Sequence, residues 1–433
     1  MANIIDYVRE ETRSLRDLPF NEVDALVLAT LVYEDVARIS PKLALDEART
    51  DSFTDSFVTR IRAFEPKHPW IAFRRLWRPT FESVSLKDAN LELHRSLDTA
   101  ADDKPHDAQI VSFVDGSATH TLFQTAGESP RFSSMRLGAV VDHVNPGEQT
   151  QFAAVTFQLP DGPRAKDPTY QGTLVISLRG TDDSLVGWKE DFNMTFQYPV
   201  PAQRAASAYL DTVARLWRGP IVLVGHSKGG NLAIYAAMNA DEKVRRRIRH
   251  VYSLDGPGFP PQVVTSPEYQ AILPKVTKIV PDSSIIGMIF ETPEPCRVVA
   301  SDSDGIMQHN AFTWQIKGDD FLTEPSLSSS SQLFNEELNR WIASLTPGQR
   351  ERAVDALFKV LHANGAASVH DVMNSLPASI PSMLGAYVGL TAEDRRNIAT
   401  ALGILFKATT ARAKRSAPAV SPTSPATPTV PTA

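Results

Sequence analysis

The chain has 433 residues, 42% of them hydrophobic and 22% charged, with a formal net charge of −6. Those proportions are ordinary for a soluble globular protein, leave room for one large α/β domain with additions, and supply no basic patch for a nucleic acid. The N-terminus lacks a basic stretch followed by an apolar one, no run approaches the roughly 18 apolar residues of a spanning helix, and Cys296 is the single cysteine. A signal peptide, a membrane span and an internal disulfide are therefore not expected, and a reducing cytoplasm is.

Residues 1–104 predict a helical N-terminal layer packed on the core. Within it Asn21, with Asp24 three residues on, has the pattern of an N-cap, and Val23, Leu26, Val27, Thr30 and Leu31 form an apolar stripe. Short strands are predicted over 109–114, 131–144, 151–159 and 173–178, separated by turns rich in Gly, Pro and Asp. From 200 to 310 helix and strand alternate: a helix over 202–217, a strand over 221–224, a helix over 232–239, then strands over 249–254, 275–280 and 297–300. Alternation of that kind predicts a mostly parallel sheet with crossover helices, so the core, 105–325, is of α/β class. Cys296 adjoins the last of these strands and is expected to pack rather than react. After the serine-rich stretch 326–331 the chain turns helical again. Thr346-Pro347 and Thr391-Ala392-Glu393-Asp394 look like helix starts, and the region 326–415 carries no evident chemistry. The final stretch, 416–433, holds five prolines among Ser, Thr and Ala, too little apolar surface to order.

Chemistry concentrates at Ile221 to Ala237, where an apolar run feeds Gly225-His226-Ser227-Lys228-Gly229 and a small-residue helix follows. That is the setting of a nucleophile elbow, in which a strand turns sharply into a helix and presents a serine at the helix N-terminus. A serine needs a base, and the base needs an orienting carboxylate. The histidines weighed as that base are His309, in a polar loop after the last predicted sheet strand, and His362 and His370 in the C-terminal helical region. His309 is the expected base, and His226 is expected to pack. Asp255 and Asp282 each end a strand and are alternatives for the acid, Asp255 being the first choice. The tetrahedral oxyanion calls for two donors. The backbone N–H of Lys228 is one; Thr181, whose N–H and hydroxyl both donate, follows the strand 173–178 and is expected to supply the other.

Arg179-Gly180-Thr181, then Trp188 and Asp191, then Gly225 to Ala233 resemble the pattern of class-three lipases, which implies Thr181 in the oxyanion hole. Leu254-Asp255-Gly256-Pro257 is similar to the acid-bearing segment of pancreatic-type lipases and implies Asp255, whereas the class-three arrangement implies Asp282. Adding Asn3 to Tyr7, Pro19 to Asp24, Gly187 to Phe192, Asp255 to Phe259 and Gln308-His309, the chain to about residue 322 resembles a bacterial family of lipase-like α/β-hydrolases. The resemblance implies an α/β-hydrolase fold and a serine hydrolase acting on carboxylic esters through a Ser-His-Asp triad, with no metal and no organic cofactor. A thioesterase or acyltransferase using the same triad, and a catalytically silent binding protein of the same fold, are the rival readings. No partner protein is indicated beyond a small-molecule ester. Between Thr181 and Pro199 there is room only for a short lid. Trp188 and Phe192 are expected to roof the pocket, which favours acyl groups of about four to eight carbons if each buried CH₂ adds roughly 0.8 kcal/mol until the pocket fills.

Overall fold

The short apolar runs of the sequence become eight neighbouring strands. In the computed structural model the described residues are 2–43, 83–99, 116–160 without 146, 148 and 149, 172–366 without 183, then 368, 375 and 379–400. Strands β1 (Ser83–Ser85), β2 (Arg136–Asn145), β3 (Thr150–Gln158), β4 (Leu174–Leu178), β5 (Ile221–His226), β6 (Ile248–Leu254), β7 (Val276–Pro281) and β8 (Cys296–Val299) lie side by side in chain order. The first four pair antiparallel, and β4 through β8 run parallel. The protein is thus of α/β class with a mostly parallel sheet, as the alternation of elements implied.

Alternate residues along each strand point to opposite faces, and both faces are covered. Val222, Val224, Leu254 and Ile279 face the N-terminal helices Ile4–Glu10 and Glu22–Leu31. Ile221, Leu223, Ile176 and Val251 face the helices Pro201–Leu216 and Lys228–Asn239 on the other side. The helix Glu22–Leu31 starts in a capping box between Asn21 and Asp24, and its Leu28 carbonyl accepts from Ser177 Oγ of β4 at 2.8 Å.

Several expected elements shift. The strand expected from 131 begins only at Arg136, because the Arg131 side chain is drawn inward: it is 1% exposed and clasps Asp24, which is fully buried. Arg131 Nε donates to Asp24 Oδ1 at 2.8 Å, a second nitrogen reaches Oδ2, and Nη1 donates to the carbonyls of Arg13 and Leu18. β1 lies within the stretch expected to be helical, and the helix expected from 232 starts at once after Ser227. Cys296 was expected to pack; it is exposed, since it opens β8, whose partner on one side only is β7. The strand expected over 109–114, His370 and the tail 416–433 lie outside the described residues.

The C-terminal helices Ser329–Ser344 and Pro347–Leu361 begin at Ser328 and Thr346, each of which accepts from a backbone N–H of the first turn. They pack beyond the carboxyl ends of the strands: Phe334 meets Ile285, while Val354 and Phe358 meet Leu185. No helix among the described residues is long and apolar enough to cross a membrane.

Removing one partner of a buried ion pair strands the other's charge, which typically costs about 3–5 kcal/mol. Asp24→Ala should lower unfolding stability by about that much in a urea titration at neutral pH. A loss below about 1 kcal/mol would show that the chain relaxes to let solvent reach Arg131.

Candidate active site

The turn from β5 into the helix Lys228–Asn239 forces Ser227 to φ 58° and ψ −135°, a region that L-residues rarely occupy. The turn closes so tightly that a Cβ on Gly229 would fall 2.0 Å from the Leu178 carbonyl oxygen. Opposite it, a Cβ on Gly180 would lie 2.9 Å from the Ser227 Cβ, so the end of β4 and the elbow touch through a glycine. Ser227 N donates to the Leu254 carbonyl at 2.9 Å, which ties the turn to β6. The Lys228 N–H occupies the first helical position, where no intrahelical acceptor exists.

β6 ends at Leu254, and Asp255 follows with φ 49° and no exposure. One carboxylate oxygen, Oδ2, lies 2.6 Å from His309 Nδ1; the other accepts from Ser284 Oγ at 2.5 Å and from Gly287 N at 3.1 Å. Burial would raise this carboxyl, but the hydrogen bond and charge of His309, with the Ser284 hydroxyl, outweigh it and hold Asp255 below the usual carboxylate range. A carboxylate accepts only, so Nδ1 bears a proton, and whenever the ring is neutral Nε2 is its basic nitrogen. Asp282 stands elsewhere: its backbone N–H pairs with Val299 and its carbonyl with Ser328, and the His309 ring meets Asp255 instead.

The His309 loop is held from three directions. Gln308 Oε1 accepts from Ser283 N at 2.8 Å, Trp314 Nε1 donates to the Gln308 carbonyl at 2.9 Å, and His226 Nε2 donates to the His309 carbonyl at 2.8 Å. The two imidazole rings lie 4.7 Å apart between centroids. His226 does pack, as expected, and it also donates. Burial, then the neighbouring His309, pushes its pKa down to about 3, so the ring is neutral.

Lys228 has a second feature besides its backbone N–H. Its side chain is fully buried: Nζ lies 3.1 Å from Glu190 Oε2, 3.4 Å from Asp191 Oδ1 and 3.1 Å from Gln151 Oε1. Burial would depress the ammonium, but the Glu190 and Asp191 carboxylates prevail and hold it above its ordinary pKa. Glu190 also accepts from Gln151 N and Ala202 N, so every polar edge of this charge is occupied. Burial pushes Asp191 up to about 6, against the pull of Lys228 and the Thr181 hydroxyl. Thr181 Oγ1 donates to Asp191 Oδ2, so only the Thr181 N–H is left for the pocket; the expectation that the hydroxyl donates there as well does not hold.

Ser227, Lys228, Thr181, His309, Trp188 and Phe192 all border one cavity of about 360 Å³. Much of the remaining wall comes from the C-terminal helices, among them Phe334, Trp341, Val354 and Leu357, so the region expected to carry no chemistry shapes the pocket. Trp188 packs with Val354 and Phe358, and the Phe192 ring meets the Phe358 ring edge to face at 5.8 Å. The cavity-lining role of that region and the buried partners of Lys228 escaped the sequence reading. Glu190 and Asp191 stood in a segment already singled out, and a lysine directly after the elbow serine, in an otherwise apolar and small-residue run, is the one signal that pointed to them.

A strand–turn–helix serine at the carboxyl edge of a mostly parallel sheet, beside a buried His–Asp contact, defines an α/β protein with a site suited to nucleophilic chemistry. Residues 126–359, more than half of the chain, match the family model Mbeg1-like, and the chain belongs to the Mbeg1-like family. No curated protein matches it. Among solved structures, the crystal structure of M37 lipase is similar over 67% of this chain and 90% of that one, at 14% identity and a TM-score of 0.29.

Neutral burial of His226 makes folding sensitive to acid. The unfolded ring takes up a proton near pH 6.5 and the folded one only near 3, so its contribution is complete above 6.5 and is lost as pH falls toward 3. Stability should therefore drop by roughly 1 kcal/mol per pH unit more in the parent than in His226→Gln across that window. Parallel stability–pH curves for the two would mean that His226 titrates normally in the folded chain.

Proposed function

We propose that this protein is a serine hydrolase of α/β-hydrolase type that cleaves carboxylic esters of apolar acyl groups through a covalent acyl-enzyme. The observation that carries the reading is the buried 2.6 Å contact between His309 Nδ1 and Asp255 Oδ2, with His309 bordering the same cavity as the strained Ser227. In this reading Ser227 Oγ attacks the ester carbonyl and its proton passes to His309 Nε2. Asp255 fixes the imidazole tautomer and stabilises the imidazolium. The negative charge on the carbonyl oxygen is met by the N–H groups of Lys228 and Thr181, typically worth about 3–4 kcal/mol for each donor. Collapse breaks the C–O bond, and the alcohol leaves with the proton from His309. Water then repeats the cycle on the acyl-enzyme and releases the acid.

Asp255 is the acid of this triad and Asp282 is not, because only Asp255 meets the histidine ring. Every proton in the cycle is handled by side chains, so the reaction calls for no metal or organic cofactor. A cavity of about 360 Å³ is at the small end of ligand pockets, about 300–1,000 Å³, and keeps short acyl groups as the favoured substrates.

A fluorophosphonate should label the purified protein at Ser227 and should not label Ser227→Ala, since only an activated serine reacts. Asp255→Asn should cut kcat on a short nitrophenyl ester by about four decades while leaving the protein folded, as loss of the orienting carboxylate does in serine proteases. Asp282→Asn should stay within a few-fold of the parent. A folded protein without label sinks the hydrolase reading, and the reverse pattern at the two aspartates moves the acid to Asp282.

A further inference from the structure

The cavity wall is mainly apolar, yet it includes Arg350, contributed by the C-terminal helix Pro347–Leu361. Arg350 Nη1 donates to the Thr195 carbonyl at 2.7 Å, which anchors one side of the guanidinium fork. Its Nε is buried and has no hydrogen-bond partner. Among the described residues no carboxylate pairs with Arg350, whereas nearby cations do have partners: Lys189 with Asp355 at 2.9 Å and Arg352 with Glu393 at 3.4 Å. Burial, with no carboxylate to oppose it, pulls the guanidinium below its ordinary pKa. The other cation at the cavity, Lys228, is already matched by Glu190 and Asp191. Among the described residues, Arg350 is thus the positive charge of the pocket left uncompensated. The edge of the fork away from Thr195, formed by Nε and Nη2, is the edge that takes a carboxylate or phosphate through two parallel hydrogen bonds.

We propose that Arg350 is a specificity-determining residue that binds an anionic oxygen group, carboxylate or phosphate, at the end of the substrate remote from the scissile carbonyl. The substrate is then an amphiphile: an ester whose apolar stretch lies along the cavity and whose far end carries the anion. The inference rests on the ester hydrolase reading for the word substrate, but not for the binding of an anionic amphiphile.

Three nitrophenyl esters of one chain length test it, ending in methyl (nitrophenyl octanoate), carboxylate (the suberate monoester) and phosphate. In the parent, kcat/KM for at least one anionic ester should exceed that for octanoate by about tenfold or more, the worth of a charge-assisted hydrogen bond. Whichever anion is preferred identifies the source. In Arg350→Gln the preference should collapse toward unity while octanoate turnover stays within about twofold, and Arg350→Lys should retain part of it. A purely structural arginine would lower all three rates together. Equal rates for charged and neutral esters in the parent, or a preference that survives Arg350→Gln, overturns the proposal. To separate this from failure of the hydrolase reading, octanoate and 1-octanol are titrated calorimetrically into Ser227→Ala with and without Arg350→Gln. Tighter binding of octanoate that depends on Arg350, in a protein that turns over no ester, keeps the anion site and discards the enzyme. No such dependence in either assay discards the anion site.

Discussion

The sharp turn at Ser227 is the constraint on which the rest of the site depends. A serine at φ 58° persists only where its surroundings over-determine it, and here three strands do so. β5 delivers the residue, the end of β4 presses against it through Gly180, and β6 accepts its N–H at Leu254. Because β4, β5 and β6 are parallel neighbours, their carboxyl ends open at one edge of the sheet, and Thr181, Ser227 and Asp255 are consecutive strand endings. The strain at the elbow and the nearness of the three residues are therefore one geometric fact.

Behind the turn lies a second layer of polar contacts whose net charge is unusual for a buried place. One ammonium, Lys228, faces two carboxylates, Glu190 and Asp191, in a region where desolvation alone would penalise all three. Glu190 is satisfied by two backbone N–H groups as well as by the lysine, whereas Asp191 relies on the Thr181 hydroxyl and a more distant ammonium. Burial, opposed only by these partners, pushes the Asp191 pKa up to about 6. A buried ion pair is weak evidence of stability, but it does fix position. It locks the helix Leu185–Asn193, and through Asp191 the Thr181 side chain, to the first residue after the elbow.

Much of this was legible from the sequence, for reasons that separate cleanly by range. The strand–turn–helix at Ser227, the parallel run of strands and the starts of helices at Asn21 and Thr346 rest on local signals, and the structure has them. The residues alone favour Asp255 over Asp282 without settling it, since both end strands and differ only in what stands 54 residues from Asp255 in the chain. The Lys228 side chain meets a carboxylate 38 residues away, and Arg350 meets a carbonyl 155 residues away, pairings that no periodicity encodes. The strand expected from 131 failed for the same reason, because a buried partner 107 residues away captured Arg131.

The division of labour along the chain follows from these ranges. The groups proposed for bond breaking all sit on strand endings or in loops tied directly to them, where the backbone is over-determined and small shifts are resisted. The cavity wall, by contrast, is built largely by helices that pack on the elements around the strand ends, at residues such as Ile285 and Leu185. The hydrogen bonds that fix the turn at Ser227 come instead from β6, through the Leu254 carbonyl. On the proposed reading, the chemistry is held by the sheet, while the shape and charge of the bound molecule are set by a separate, later part of the chain.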